Sequence, residues 1–115
     1  MQSHTTEEFR TLLTAAPAAV QIKAQTAYRL WAENPAHPSL RFKKVHSTLP
    51  VYSVRIDLDW RAVGVLNKGV MIWFWIGPHS EYENRSAQRV REAAFTNLKR
   101  APRIYSDARK STARG

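Results

Sequence analysis

The most regular hydrophobic pattern in the chain runs from Tyr52 to Tyr82, YSVRIDLDWRAVGVLNKGVMIWFWIGPHSEY. Tyr52 to Asp57 alternates strictly, with Tyr52, Val54 and Ile56 on one side and Ser53, Arg55 and Asp57 on the other, the period of a half-buried strand. Trp60 to Leu66 is rich in β-branched and aromatic residues and predicts a second strand. Val70 to Ile76, VMIWFWI, is seven apolar residues in a row, too short to span a bilayer and too apolar for an edge, so it predicts a central strand. Asn67-Lys68-Gly69 predicts a three-residue hairpin loop, which pairs Leu66 with Val70, Val63 with Trp73 and Arg61 with Trp75. The turn around Asp57-Leu58-Asp59 needs an odd length, because this places Ile56 opposite Trp60 and Arg55 opposite Arg61 and keeps Arg55 off the apolar face. One face of the resulting sheet is apolar, with Tyr52, Val54, Ile56, Trp60, Ala62, Ile72, Phe74 and Ile76. The other carries Arg55, Arg61, Val63, Met71, Trp73 and Trp75.

Upstream the period changes to that of helices. Ser3 to Thr14 predicts a first helix, capped by Ser3, Thr5 or Thr6, with Glu7 and Glu8 at the positive end of its dipole and Phe9, Leu12 and Leu13 as its apolar stripe. Pro17 opens a second helix that runs to Glu33, with Val20, Ala24, Ala27 or Tyr28, and Trp31 on one face; Asn34-Pro35 ends it. This helical hairpin is expected to bury itself against the apolar sheet face. Ser39 to Val45 is a short strand or an ordered loop along the sheet. After Tyr82, Ala87, Val90, Ala94 and Leu98 are spaced for a thin helix, and the residues beyond Pro102 have the composition of a frayed terminus. The expected fold class is α+β, a helical hairpin on a small twisted antiparallel sheet. Residues 1–83 form the domain and residues 84–115 a basic C-terminal extension.

Composition narrows the chemistry. The chain has 115 residues, room for one core, and no cysteine, so disulfides and thiolate metal sites do not arise. A polar N-terminus and the lack of any apolar run near ~18 residues predict a soluble, cytoplasmic protein with no membrane partner. The net charge of +9 points to a polyanionic partner, most often nucleic acid. Its distribution is uneven: residues 1–83 hold nine Lys/Arg against seven Asp/Glu, and residues 84–115 hold nine against two. The extension either contacts nucleic acid or is simply solvated.

Glycine-rich phosphate loops, HExxH and GxSxG are all missing, and the four histidines lack metal-ligand spacing, so no metal or cofactor is expected. The remaining candidate is a basic and aromatic set: Lys43, Lys44, Arg55, Arg61, His79 and Tyr82, with Trp73 and Trp75. If these converge, they suit cleavage of an RNA phosphodiester. Arginine binds phosphate and stabilises its developing charge, histidine exchanges protons near neutral pH, and an aromatic ring stacks on an unpaired base. Each member also has an ordinary reading. The arginines can pair with Asp57, Asp59 or Glu81, the tryptophans can be packing, His79 structural and Lys43-Lys44 solvated.

The stretches FRTLLTAAP, AYRLWAENPAHPSLRFKKVH, YSVRI, WRAVGV and IWFWIGPHSEY, spanning residues of about 9–83, resemble the RelE/ParE family of bacterial type II toxins, and within it the HigB-like branch. That resemblance implies a small α+β fold whose sheet cradles the substrate. It implies an mRNA interferase that cleaves messenger RNA on the ribosome through attack of the 2′-hydroxyl, without a metal, and that is restrained by a cognate antitoxin. Arg55 and Arg61 then look like the arginines that hold the scissile phosphate. His79 and Tyr82 resemble the proton-transfer and stacking positions, and Lys43 and Lys44 lie where basic residues contact RNA. ParE-like relatives share the fold but inhibit DNA gyrase without catalysis, which is the alternative, together with an inactive orphan toxin.

Overall fold

A computed structural model describes residues 2–84 and 92–97. The order of elements is β1 (Gln2–Thr5), α1 (Glu7–Ala15), α2 (Ala18–Glu33), a 3-10 turn (Pro38–Leu40), β2 (Lys43–Lys44), β3 (Val51–Arg55), β4 (Trp60–Asn67), β5 (Val70–Pro78) and α3 (His79–Asn84). The strands form one sheet in the order β1-β5-β4-β3-β2. The fold is α+β as expected, with β5 in the interior of the sheet, between β1 and β4. The sheet is mixed rather than wholly antiparallel, because β1 runs parallel to β5. Among the described residues, no helix is long and apolar enough to cross a membrane.

The N-terminal helix starts later than its polar lead suggests. Thr6 is the N-cap, its hydroxyl accepting from the Phe9 N–H at 3.0 Å, and Glu7 and Glu8 follow in the first turn. Gln2 to Thr5 instead extend along the free edge of β5, pairing Gln2 with Val70 and Thr5 with Trp73. Four polar residues carry no apolar period, so nothing in their pattern opposes a helix. What decides is the open edge of β5, whose backbone groups need partners inside a folded core. Pro17 caps α2 as expected, and its carbonyl accepts from Val20 and Gln21. The Gln21 side chain donates to the carbonyls of Thr14 and Ala16, tying α2 to the end of α1.

The β4–β5 hairpin also departs from expectation. The turn is the two residues Lys68-Gly69, both with positive φ (53° and 80°), and Asn67 pairs with Val70. Two successive left-handed residues make the mirror-image turn whose twist matches paired strands. The pairing then runs Leu66–Met71, Val65–Ile72 and Gly64–Trp73, and resumes as Val63–Trp75 and Ala62–Ile76. Phe74 is therefore an extra residue, a bulge that reverses the side on which each following side chain falls.

These two changes rewrite the faces. Under the helical hairpin lie Val54, Ala62, Met71, Trp73 and Ile76, packed with Phe9, Ala24, Ala27, Trp31 and Leu40. On the other side Val51, Val63, Val65, Val70, Ile72 and Phe74 form a second core. Met71 and Trp73 thus lie beneath the helices, and Ile72 and Phe74 on the opposite face, an exchange from the straight-strand expectation. The second face is covered by a helical segment at residues 92–97, where Ala94 is fully buried and Ala93 packs beside it. The helical spacing read around Ala94 is present there; Ala87, Val90, Leu98 and the terminus beyond Pro102 lie outside the described residues.

Trp31 anchors the first core. It meets Trp73 edge-to-face at 5.3 Å and Phe42 at 5.9 Å, and Phe42 stacks on Tyr52 at 5.0 Å. The Nε1 groups of Trp31 and Trp73 are both buried without an acceptor, a cost of about 1–3 kcal/mol each. Further along α2 the contact surface is small: Ala24 and Ala27, with Val54, Ile56 and Ala62 of the sheet side, line a cavity of about 760 Å³.

Gly64 sits where the bulge brings Trp73 across β4. A Cβ there meets the Trp73 ring at 2.8 Å and the Ile72 carbonyl at 2.9 Å. Because the carbonyl belongs to the paired strand and cannot swing away, Gly64→Ala should destabilise the domain by about 1–3 kcal/mol. Denaturant unfolding measures this directly, and an unchanged midpoint would show that the bulge relaxes freely.

Candidate nucleic-acid interface

The site is built around the Asp57–Asp59 turn that ends β3 and opens β4. Asp57 shapes it: its Oδ1 accepts from the Asp59 and Trp60 N–H groups, both at 2.9 Å. The odd loop predicted from the pattern is present, with Ile56 donating to the Trp60 carbonyl and Arg55 directly opposite Arg61. Arg61 Nη1 donates to the carbonyls of Asp57 at 2.8 Å and Trp60 at 3.0 Å. These bonds fold its guanidinium back over the turn and fix its position.

Two cationic residues stand opposite one another on adjacent strands, which is unfavourable unless something offsets it. Asp57 and Asp59 offset it only in part, and among the described residues the ion pair of Asp57 is with Lys23, at 3.6 Å. Partial burial, then the charge of Arg55 and that of Arg41, hold the Arg61 guanidinium below the ordinary arginine pKa, opposed by Asp57 and Asp59. An arginine remains charged regardless, so the shift reports crowding of positive charge, not its loss.

Arg41 is the residue that pattern reading did not single out. It follows the Pro38–Leu40 turn in the left-handed region (φ 46°), with an exposed side chain. A non-glycine residue there is uncommon and costs energy. The buried Leu40 before it and the Pro38 carbonyl that accepts its N–H fix this conformation. Its signal was available in LRFKKV, where it precedes the two lysines by two positions, but nothing in an alternating pattern distinguishes it from a solvated residue.

The structure separates the other candidates. Lys43 pairs with Ser53 and Lys44 with Tyr52, so the register places Lys43 on the Arg55 side and Lys44 on the helix side; both are exposed. Trp73 is buried beneath Trp31 and is not a surface platform. Trp75, on the far side of the bulge, is half-buried on the arginine face. Its indole lies over Gly77, the residue paired with Arg61; a Cβ at Gly77 would fall 2.6 Å from Cζ2. His79 opens α3 directly after β5, and its N–H donates to the Asp59 carbonyl, anchoring it to the turn that holds Arg61. Tyr82 lies in α3 by its backbone, and its side chain falls outside the described residues. By contrast, His46 Nδ1 accepts from the Thr48 and Leu49 N–H groups, a loop-shaping role. Among the described residues, no three His, Cys, Asp or Glu side chains gather as metal ligands.

One end of the sheet thus presents Arg41, Arg55, Arg61 and Lys43 beside a tryptophan face and a histidine, on a small α+β domain of the toxin type. The profile of the ParE-like toxin domain matches residues 18–84, and the chain belongs to that family. In three dimensions it is similar to YafQ from E. coli (TM-score 0.57, 13% identity, covering 69% of this chain and 93% of YafQ). It is equally similar to a chain of the RelB–RelE antitoxin–toxin complex from Methanococcus jannaschii (TM-score 0.58, 12% identity, 70% and 94%). The YoeB/ParE toxin from Agrobacterium tumefaciens gives a TM-score of 0.56 at 15% identity, over 69% of this chain and 99% of that one. No curated protein matches the sequence.

Because Arg55 faces Arg61 across the ladder, removing one charge relieves repulsion. Arg55→Gln should stabilise the domain by about 0.2–1 kcal/mol at low salt while weakening its affinity for single-stranded RNA. Thermal unfolding and RNA titration on the same sample check both signs, and a destabilised variant would contradict the repulsion.

Proposed function

We propose that the chain is the toxin of a type II toxin–antitoxin pair and that it cleaves messenger RNA on the ribosome. The observation that carries this reading is the convergence of Arg41, Arg55 and Arg61 around one turn with no ion pair among the described residues to neutralise them. Such a cluster is complementary to a phosphate whose negative charge grows during reaction.

In the proposed reaction the 2′-hydroxyl oxygen attacks the adjacent phosphorus and the bond to the 5′-oxygen breaks, leaving a 2′,3′-cyclic phosphate and a free 5′-hydroxyl. One proton leaves the 2′-hydroxyl and one is delivered to the departing 5′-oxygen. His79, anchored to the Asp59 carbonyl beside Arg61, is the group assigned to proton transfer. Arg61, positioned by the Asp57 and Trp60 carbonyls, holds the scissile phosphate with Arg55. Trp75 offers a stacking face, Lys43 and Arg41 extend the phosphate track, and Tyr82 takes a stacking role by resemblance. Lys44 and Trp73, on the helix side of the sheet, are left out. A protein antitoxin that covers this face would hold the activity in check. The family match and the toxins among the structural neighbours support the assignment.

Brief induction in a bacterial host, with mRNA 5′ ends mapped against reading frame, is the test. Cuts at a fixed position within translated codons are expected. His79→Ala should lower the cleavage rate by about 10²–10⁴. Arg41→Ala should lower it by about tenfold to a hundredfold, the range of one lost charge-assisted contact of about 1.5–3 kcal/mol. Growth arrest with intact mRNA would replace this reading with a non-catalytic inhibitor such as a gyrase binder. Soluble protein that neither arrests growth nor cuts would mark an inactive module.

A further inference from the structure

A second site lies on the opposite side of the sheet from the arginine cluster. We propose that the cavity between the helical hairpin and the sheet binds an amphipathic anion, a carboxylate carried on an aliphatic chain.

Its volume of about 760 Å³ falls within the range of ligand pockets, and its floor is apolar, with Phe9, Leu13, Val54, Ile56 and Ala62. The void follows from the sequence, since α2 presents Ala24 and Ala27 where larger side chains would close the gap. The charge at its edge has one sign: His4, Arg10 and Arg29 contribute to the lining, and among the described residues no aspartate or glutamate does. Arg10 is held in place, Nη1 donating to the Thr5 carbonyl at 2.6 Å and to its Oγ1 at 3.0 Å, which leaves its other N–H groups for an anion. Across the cavity, Ser3 Oγ and Tyr28 Oη hydrogen-bond at 3.0 Å and join β1 to α2. That bridge ties the two walls together across a half-open space of small-molecule size. An apolar chain would fill the floor, and its carboxylate would meet the remaining guanidinium N–H groups of Arg10 and the charge of Arg29 at the edge.

Decanoate is a suitable probe, and its brominated analogue quenches tryptophan on contact. Titration of the full chain should give saturable quenching at one equivalent, with decanol binding about tenfold more weakly. Ala24→Leu, which fills the pocket, should abolish binding and raise the melting temperature. Arg29→Glu, at an exposed position, should weaken binding by about tenfold while leaving the melting temperature unchanged. Failure to saturate below the micellar concentration would overturn the proposal, as would Ala24→Leu binding like the unaltered chain. Equal affinity for decanol would overturn the anionic component. None of these readouts depends on RNA cleavage, so a failure here leaves the proposed activity standing, and the reverse.

Discussion

The structure depends on one extra residue in β5. Phe74 has no partner on β4, and the ladder passes over it from Gly64–Trp73 to Val63–Trp75. Without that bulge, Trp73 and Trp75 would share a face, since side chains alternate along an unbroken strand. With it, Trp73 turns under the helices to meet Trp31, and Trp75 turns out beside Arg61. One irregularity therefore supplies both the anchor of the first core and the aromatic wall of the candidate site. The two glycines nearby follow from it: Gly64 yields to the Trp73 ring, and Gly77 gives the Trp75 ring a flat place to rest. A bulge beside a functional surface is a recurrent way of re-aiming a side chain.

The cost of the site is electrostatic. Arg55 and Arg61 face each other, with Arg41 near enough to add its charge, and the one acidic group at the turn that forms an ion pair does so with Lys23. Chain segments that serve stability alone have no reason to gather cations this way. The arrangement holds because Arg61 is hydrogen-bonded to backbone carbonyls, whose partial charge absorbs some of its own without neutralising it. Positive potential is thereby kept for a ligand outside the protein.

Much of this was legible in the chain. The Arg55–Arg61 pairing followed from keeping apolar residues on one face, and Pro17 and Asn34 marked the limits of α2 through backbone constraints that hold in any context. The face of Trp73 was not legible, because in VMIWFWI every residue is apolar and alternation cannot register a slip. The Lys68-Gly69 turn is one residue shorter than the pattern suggests for a related reason: a lysine with positive φ has no sequence signature, although the glycine after it does. Strand β1 was hidden because its partner is far away in the chain and its own residues are polar. Arg41 was hidden because charge complementarity between distant residues has no period at all.

Strand β1 also sets when the domain can exist. It precedes the other described elements in the chain, yet its partner is β5, the last strand among the described residues. A growing chain therefore emerges with β1 unpaired, and the helical hairpin emerges before there is a sheet to receive it. Only once Val70–Pro78 has cleared the ribosome can the first strand dock, the Trp31–Trp73 contact close and Trp75 take its place beside the arginines. Pairing between segments so far apart in sequence slows folding. A nascent chain that stops short of β5 carries every cation of the cluster but has nothing to hold them together, so the finished surface appears only on chains translated through that strand.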